Sequence, residues 1–302
     1  MLHLFIINPA AGRYNHADEI RTAVSELMRR HDRDGIAHSF AMIETQYPGH
    51  ASEIVSEFAL KGMPLRVYAC GGDGTLHEVV MGAAGLPHVS VTGYPCGTGN
   101  DFVRTFGMER FQNLERLISG EARLLDLIDC GGNSHSINIC SVGLDARVVD
   151  AAQAVTKKIP FISGKATYYS AVLKAMTTGI HKHYHVTVDG ESYDGRYTLL
   201  AAANGRFYGG GFNPAPDALQ DDGMLDFLLV KAVSPFAVAK LIRTYEKGGY
   251  AGIPDVIKFI RGKRMDIVCE DGDIANCDGE VTKMRECTFR VSEKKISFIV
   301  PE

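Results

Sequence analysis

No stretch of this 302-residue chain approaches the ~20 consecutive apolar residues that a membrane-spanning helix needs, so the sequence predicts no transmembrane segment. A secretory leader is not expected either. Met1-Leu2-His3-Leu4-Phe5-Ile6-Ile7 has no basic n-region and is interrupted at Asn8-Pro9. An excess of one charge is also lacking: the formal net charge is -4, which argues against a nucleic-acid binder that depends on neutralising phosphates. Repeats and low-complexity tracts are missing. Seven cysteines (Cys70, Cys96, Cys130, Cys140, Cys269, Cys277 and Cys287) show no metal-ligand spacing, and several fall inside apolar strand-like runs. They read as small buried hydrophobes in a reducing cytosol. The expectation is a cytoplasmic protein, soluble or at most peripheral to a membrane.

What is present is enough apolar sequence, 45% of residues, for two cores, since single domains usually split above roughly 250 residues. The first third alternates strand and helix patterns. Strands are predicted at 4–7, 37–43, 65–70 and 89–94. Helices between them carry Ile20, Val24, Leu27 and Met28, then Ala51, Ile54, Val55 and Phe58, on one face. This alternation implies a parallel sheet covered on both faces, with ligands beyond the carboxyl ends of its strands. From about residue 124 the pattern changes to short strand-like runs separated by Gly, Asp and Asn turns, at 136–140, 184–188, 197–203, 225–230, 265–269 and 288–291. Helical segments are expected near 145–155, 167–176 and 235–247. The prediction is an α/β fold with a doubly wound parallel-sheet nucleotide domain at 1–126 and a mostly antiparallel β-sandwich domain at 127–293, with 294–302 able to return to the first.

The most informative motif is Gly71-Gly72-Asp73-Gly74-Thr75, set between the run Leu65-Arg66-Val67-Tyr68-Ala69-Cys70 and a helix carrying Leu76, Val79, Val80 and Met81. Glycines let phosphate oxygens approach main-chain N–H groups, and the following helix turns its partial positive end to the same place. A carboxylate at Asp73 would repel bound phosphate unless a divalent cation lies between them. The combination therefore reads as a nucleotide phosphate site with Mg²⁺. Asn8-Pro9-Ala10-Ala11-Gly12 and Pro95-Cys96-Gly97-Thr98-Gly99-Asn100-Asp101 are two further turns that follow strands and belong at the same sheet edge. Asn100 and Asp101 open a helix as capping residues do; alternatively Asp101 is a second carboxylate facing Asp73. Downstream, Asp278-Gly279-Glu280 is either a plain hairpin turn or a loop that supplies a general base. The turns before the strand at 225–230 place Asp222 among carbonyls that suit a hard cation, or are simply tight turns.

Taken together these motifs resemble the diacylglycerol kinase catalytic family, the lipid kinases that include sphingosine kinases and bacterial lipid kinases. The matching residues are Asn8-Pro9 with Gly12, Gly71-Gly72-Asp73-Gly74-Thr75, Gly97-Thr98-Gly99-Asn100-Asp101-Phe102, Gly143-Leu144-Asp145, Asn204-Gly205 with Gly210-Gly211, Asp222-Gly223-Met224-Leu225-Asp226 and Asp278-Gly279-Glu280. The first glycine motif alone would also fit NAD kinases, but those continue with a different substrate motif that Gly97-Thr98-Gly99-Asn100-Asp101 does not resemble; the first domain is expected to be NAD-kinase-like in fold. It further implies ATP contacts at Asn8, Pro9, Ala10, Ala11, Gly12, Thr45, Gly71, Gly72, Asp73, Gly74, Thr75, Leu76, His77, Glu78 and Thr98. Asp73, Asp101 and Glu280 would hold Mg²⁺ and its waters. Either Asp278 or Glu280 would accept the proton of a lipid hydroxyl, with Glu280 favoured for its reach. A separate structural Mg²⁺ would take the Asp222 carboxylate and the main-chain oxygens of Leu219 and Met224. His77 departs from the pattern, standing where many relatives carry Asn.

The expected function is transfer of the ATP γ-phosphate to a lipid alcohol such as diacylglycerol. The alternatives are a nucleotide-binding regulatory module without turnover and a kinase of a non-lipid alcohol. A lipid acceptor implies peripheral contact with the inner membrane face. The segment 157–174, where Lys157, Lys158, Lys165 and Lys174 mix with Ile159, Phe161, Tyr168 and Tyr169, is either that contact or an ordinary amphipathic helix. Mixed strand edges in the second domain would allow a homodimer.

Overall fold

The computed structural model describes residues 1–12, 16–33, 39–158, 179–238, 244, 248 and 253–302. They form two compact units, Met1–Leu125 with Lys294–Glu302, and Asp126–Glu293.

The first unit is built on six strands, numbered in chain order: β1 (Leu2–Ile7), β2 (Ser39–Glu44), β3 (Leu65–Gly71), β4 (Val89–Pro95), β5 (Glu121–Leu125) and the last strand, β16 (Ile296–Val300). They lie in the order β2-β1-β3-β4-β16-β5, parallel throughout except for β5 against β16. Leu4, Phe5, Ile6 and Ile7 are buried in succession, as are Val67, Tyr68, Ala69 and Cys70. Successive strand residues point to opposite faces, so uninterrupted burial means that both faces are covered. The helices are α1 (Ala17–Arg33), α2 (His50–Ala59), α3 (Asp73–Ala83), α4 (Asp101–Arg104) and α5 (Leu114–Ser119). α1 buries Ala17, Ile20, Val24 and Leu27, the three-and-four spacing of one helical face.

β16 does more than extend the sheet. Its Phe298 is fully buried and meets Phe102 of α4 edge-on at 5.2 Å between ring centroids, with Phe106 and Phe111 at 6.2 and 6.3 Å. From the other side, a Cβ added to Gly93 of β4 would come within 2.9 Å of Val103. The short α4 is therefore held in place by packing, since four residues cannot sustain a helix alone.

The second unit is antiparallel. Its strands are β6 (Ile128–Gly131), β7 (Ser134–Ser136), β8 (Ile139–Gly143), β9 (Lys182–Val188), β10 (Glu191–Ser192), β11 (Gly195–Ala203), β12 (Leu225–Lys231), β13 (Ile257–Gly262), β14 (Arg264–Cys277) and β15 (Glu280–Val291), with helix α6 (Leu144–Lys158) after β8. The long β14 pairs with β9 through Met265 to Val268 and with β8 through Ala275 to Cys277, bending at an irregularity between Val268 and Asp273. Strands that change partner through such a bend close a layered β core, here around Val142, Val186, Leu200, Phe227, Ile267 and Phe289. α6 is tied to β14 by Arg147, whose guanidinium grips both Asp273 oxygens at 3.0 and 2.9 Å, while Tyr184 donates to the same carboxylate at 2.5 Å. Burial, then the Asp273 charge, holds the Tyr184 hydroxyl above its ordinary range.

Several strand expectations change in the structure. The run at 136–140 is two strands, because Ile137 and Asn138 turn their amides to Asp278 instead of a neighbouring strand. The strand expected to stop at 269 runs to Cys277, since the acidic stretch Glu270-Asp271-Gly272-Asp273 is a bend within β14, with Gly272 at φ 70. Its partner starts at Glu280, not 288. β5, β6, β10 and β13 have no counterpart among the expected elements. The segments 159–178 and most of 239–252 lie outside the described residues, and with them the helix expected at 167–176 and the interfacial segment beyond Lys158. Among the described residues no helix is long and apolar enough to cross a membrane.

Phe298→Ala is expected to cost about 3–5 kcal/mol in denaturant unfolding, the usual loss for a buried aromatic. A loss below about 1 kcal/mol would show that the last strand is not what supports α4.

Candidate active site

The register of the parallel sheet brings the ends of its strands level. Ile7 pairs with Cys70, and Cys70 with Tyr94. The chain then turns at the same height three times, and the turns are bonded to one another. Asn8 N–H donates to Cys70 O at 2.9 Å, and Cys96 N–H to Gly71 O at 2.9 Å. Thr45, just past β2, donates its N–H to Ile7 O at 2.9 Å and so lies at the same edge. Turns 8–12, 71–75 and 95–101 therefore meet at the carboxyl edge. Glycine is required where two of them touch, because a Cβ on Gly97 would run into the Gly72 backbone.

Asp73 and Asp101 meet there. Asp73 opens α3 and its Oδ1 accepts the N–H groups of Asp101 and Phe102, at 2.6 and 3.3 Å. Asp73 thereby caps α4 from another part of the chain. This corrects the expectation of a local cap: Asn100 occupies the N-cap position at φ 52 without a side-chain cap bond. Its amide instead closes the loop, donating to Gly97 O at 2.7 Å and accepting Gly97 N–H at 3.1 Å. The second carboxylate oxygens of both acids flank Gly99: a Cβ built there would lie 2.7 Å from Asp73 Oδ2 and 3.3 Å from Asp101 Oδ2. Two carboxylate oxygens beside a position that must stay bare form a donor set suited to a hard divalent cation. Leu76 N–H makes a helical bond to Gly72 O at 3.1 Å, so the amides before it point along the axis of α3, the arrangement that favours an anion.

The other expected nucleotide residues divide. Pro9, Ala10, Ala11, Gly12, Gly72, Gly74 and Thr98 are part-exposed or exposed at this edge. Gly71, Thr75, Leu76 and His77 are buried. The Asn8 amide is committed to structure, donating to Thr75 Oγ1 at 2.9 Å and accepting Ala10 N–H at 3.0 Å. Glu78 turns away to α2, where its oxygens accept Gly49 and Ala51 N–H at 2.8 and 3.1 Å, supplying the cap that Gly49 lacks. Burial, with Glu19 second, pushes the Cys96 thiol up to about 11, so it presents no negative charge to an anion. Sequence reasoning missed Arg104, which donates to Gly99 O at 2.8 Å and lies 3.6 Å from Asp101 Oδ1. Its position three residues after Asp101, on the same helix face, was the available signal.

In the second unit, Asp278 and Gly279 form the two-residue turn joining β14 and β15, at φ 50 and φ 100, the conformation for which Asp-Gly is favoured, and Glu280 opens β15 directly after it. Asp278 accepts three backbone amides: Ile137 at 2.8 Å, Asn138 at 3.2 Å and Ile139 at 3.1 Å. Glu280 is exposed. The Asp222 carboxylate accepts Met224 N–H at 3.0 Å and pairs with Arg261, and Leu219 is 44% exposed. A cation at that loop would have to displace the guanidinium. Asp126, which sequence reasoning did not single out, braces the loop by accepting Gly223 N–H at 2.7 Å.

Known proteins match both units. The diacylglycerol kinase catalytic domain matches residues 3–130, and the YegS C-terminal NAD kinase beta sandwich-like domain matches 138–300. A diacylglycerol kinase of Bacillus subtilis is 26% identical over 301 residues, 98% of this chain and 95% of that one. The crystal structure of a diacylglycerol kinase from Bacillus anthracis shares the fold with a TM-score of 0.69 at 20% identity, over 99% of this chain and 96% of the other. An NAD kinase from Archaeoglobus fulgidus, crystallised with ATP, does so with a TM-score of 0.55 at 14% identity, over 100% and 94%. With both halves matched in order along its length, the chain belongs to the diacylglycerol kinase catalytic-domain family of lipid kinases.

Proposed function

We propose that this protein is an ATP-dependent kinase that moves the γ-phosphate to the hydroxyl of a lipid alcohol such as diacylglycerol, with residues 1–126 holding the nucleotide and 127–293 the lipid. The observation that carries the proposal is the approach of Asp73 and Asp101 to Gly99 at the start of two helices. The names of the matched kinases, and the ATP complex of the NAD kinase with the same fold, support it.

Phosphoryl transfer asks a protein mainly for positioning and for neutralisation of phosphate charge. Mg²⁺ bound by Asp73 and Asp101 would supply that neutralisation. The main-chain amides of turns 8–12 and 71–75 and of Thr98 orient the phosphate chain. Glu280 accepts the proton of the acceptor hydroxyl. Asp278 is assigned a positioning role, because a proton on its carboxylate would compete with the three hydrogen bonds it accepts from backbone N–H groups.

Labelled ATP and a total lipid extract test this reading. Label is expected in the organic phase, and label that appears only on water-soluble alcohols, or on nothing, would contradict it. Glu280→Gln should lower turnover by about 10²–10⁴-fold with little change in stability. Asp278→Ala should instead lower the unfolding midpoint, since it strands three amides. Equal loss of turnover without destabilisation in both variants would overturn the division of roles.

A lipid acceptor requires peripheral contact of a cytoplasmic protein with the inner membrane face, and the mixed cationic and apolar sequence 157–174 is the proposed contact. Co-sedimentation with anionic vesicles at low salt is expected. Absence of binding there would remove this part of the proposal.

A further inference from the structure

Three thiols from three strands meet inside the second unit. Cys130 is on β6, Cys140 on β8 and Cys277 ends β14, and their Sγ atoms all lie within 4.8 Å of one another, with Cys130 and Cys140 3.3 Å apart. The sheet itself creates this meeting. Cys140 and Cys277 are directly opposed across β8 and β14. Cys130 stands at an irregularity in the β6–β7 pairing, between Asp129 and Gly131, where a bulge re-aims a side chain. Cys140 is buried in the hydrophobic core, while Cys130, Cys277 and Cys287 are half-buried against it.

We propose that Cys130, Cys140 and Cys277 form a binding site for one thiophilic divalent cation of the zinc class. A tetrahedral centre with metal–sulfur bonds of about 2.3 Å sets its sulfurs about 3.8 Å apart, within the range these three atoms span. Closing them on a cation takes shifts of less than about 1 Å. The fourth position is left to water. Binding forms three metal–sulfur bonds and releases the thiol protons to solvent; nothing is oxidised or reduced, so no co-reactant is needed. Core filling does not account for the cluster, because it asks for small apolar volume and gives no reason for three sulfurs on separate strands to point at one another. A Cys130–Cys140 disulfide would use two of the three and require an oxidant.

The site lies at a consequential place. Cys277 precedes Asp278 and faces Glu280 in the β14–β15 register. A bound cation would tie β6 and β8 to the base of the 277–280 hairpin and stiffen it. The site stands independently of the kinase reading.

The test uses the full-length protein, reduced and stripped of metal, titrated with Cd²⁺ and then with competing Zn²⁺. The expected result is a cadmium–thiolate ultraviolet band that saturates at one equivalent, is displaced by Zn²⁺, and accompanies a rise in thermal midpoint. Cys130→Ser and Cys277→Ser, both half-buried and so tolerant of a hydroxyl, should each weaken binding at least about tenfold. Cys269→Ala, outside the cluster, should leave it unchanged. Absence of a one-equivalent band, or equal affinity in both serine variants and the parent, would overturn the proposal.

Discussion

One oxygen of the Asp73 carboxylate accepts the N–H groups of Asp101 and Phe102, at 2.6 and 3.3 Å, and these bonds set the start of α4 against the start of α3. The same side chain thus does two things at once. It satisfies amides that a four-residue helix with no local cap would leave exposed, and it turns its second oxygen toward Gly99, beside that of Asp101. Much of the first unit serves this arrangement. Phe298 returns from the far end of the chain to pack on Phe102, Arg104 and Asn100 hold the loop carbonyls of Gly99 and Gly97, and paired glycines let turns 71–75 and 95–101 touch. Arg104 stands 3.6 Å from Asp101 Oδ1, and the second oxygens of the two carboxylates flank the bare position at Gly99.

The glycine-rich turns were legible in the sequence because their chemistry is local. A backbone that must approach another backbone, or an anion, admits no Cβ, and Gly71-Gly72 and Gly97 carry that requirement in their residue type. The parallel sheet was equally readable, since its strands are continuous apolar runs. What could not be read was the destination of side chains whose partners are distant. Glu78 looked like a nucleotide contact from its place beside the glycine motif, yet its oxygens cap α2, 27 and 29 residues earlier. Asp101 could be read either as a cap or as a second carboxylate facing Asp73, and it is Asp73 that caps its helix. The acidic run at 270–273 looked like the end of a strand and is a bend inside β14, because its continuation is fixed by pairing with β8.

The second unit shows the same separation between residue type and role. Asp278 and Glu280 stand either side of Gly279 at one tight turn, but three amides occupy Asp278 while Glu280 is exposed. Asp278 holds the 137–139 segment to the hairpin, and this link is what splits β7 from β8. Directly behind the turn, the cysteines that seemed unrelated by spacing converge, since sheet register, not sequence interval, decides which sulfurs meet. Spacing rules for metal sites are drawn from ligands on one loop or hairpin, and they are blind to ligands gathered from three strands.

The central claim is that Asp73 and Asp101 act on a nucleotide through a shared divalent cation. Calorimetric titration with a non-hydrolysable ATP analogue, with and without Mg²⁺, tests it most directly on the parent protein and on Asp73→Asn, which keeps an oxygen to cap α4 while losing the charge. The account predicts Mg²⁺-dependent binding by the parent and loss of that dependence in the variant, with an unchanged circular-dichroism melt. Equal nucleotide affinity with and without Mg²⁺ in both proteins would contradict it.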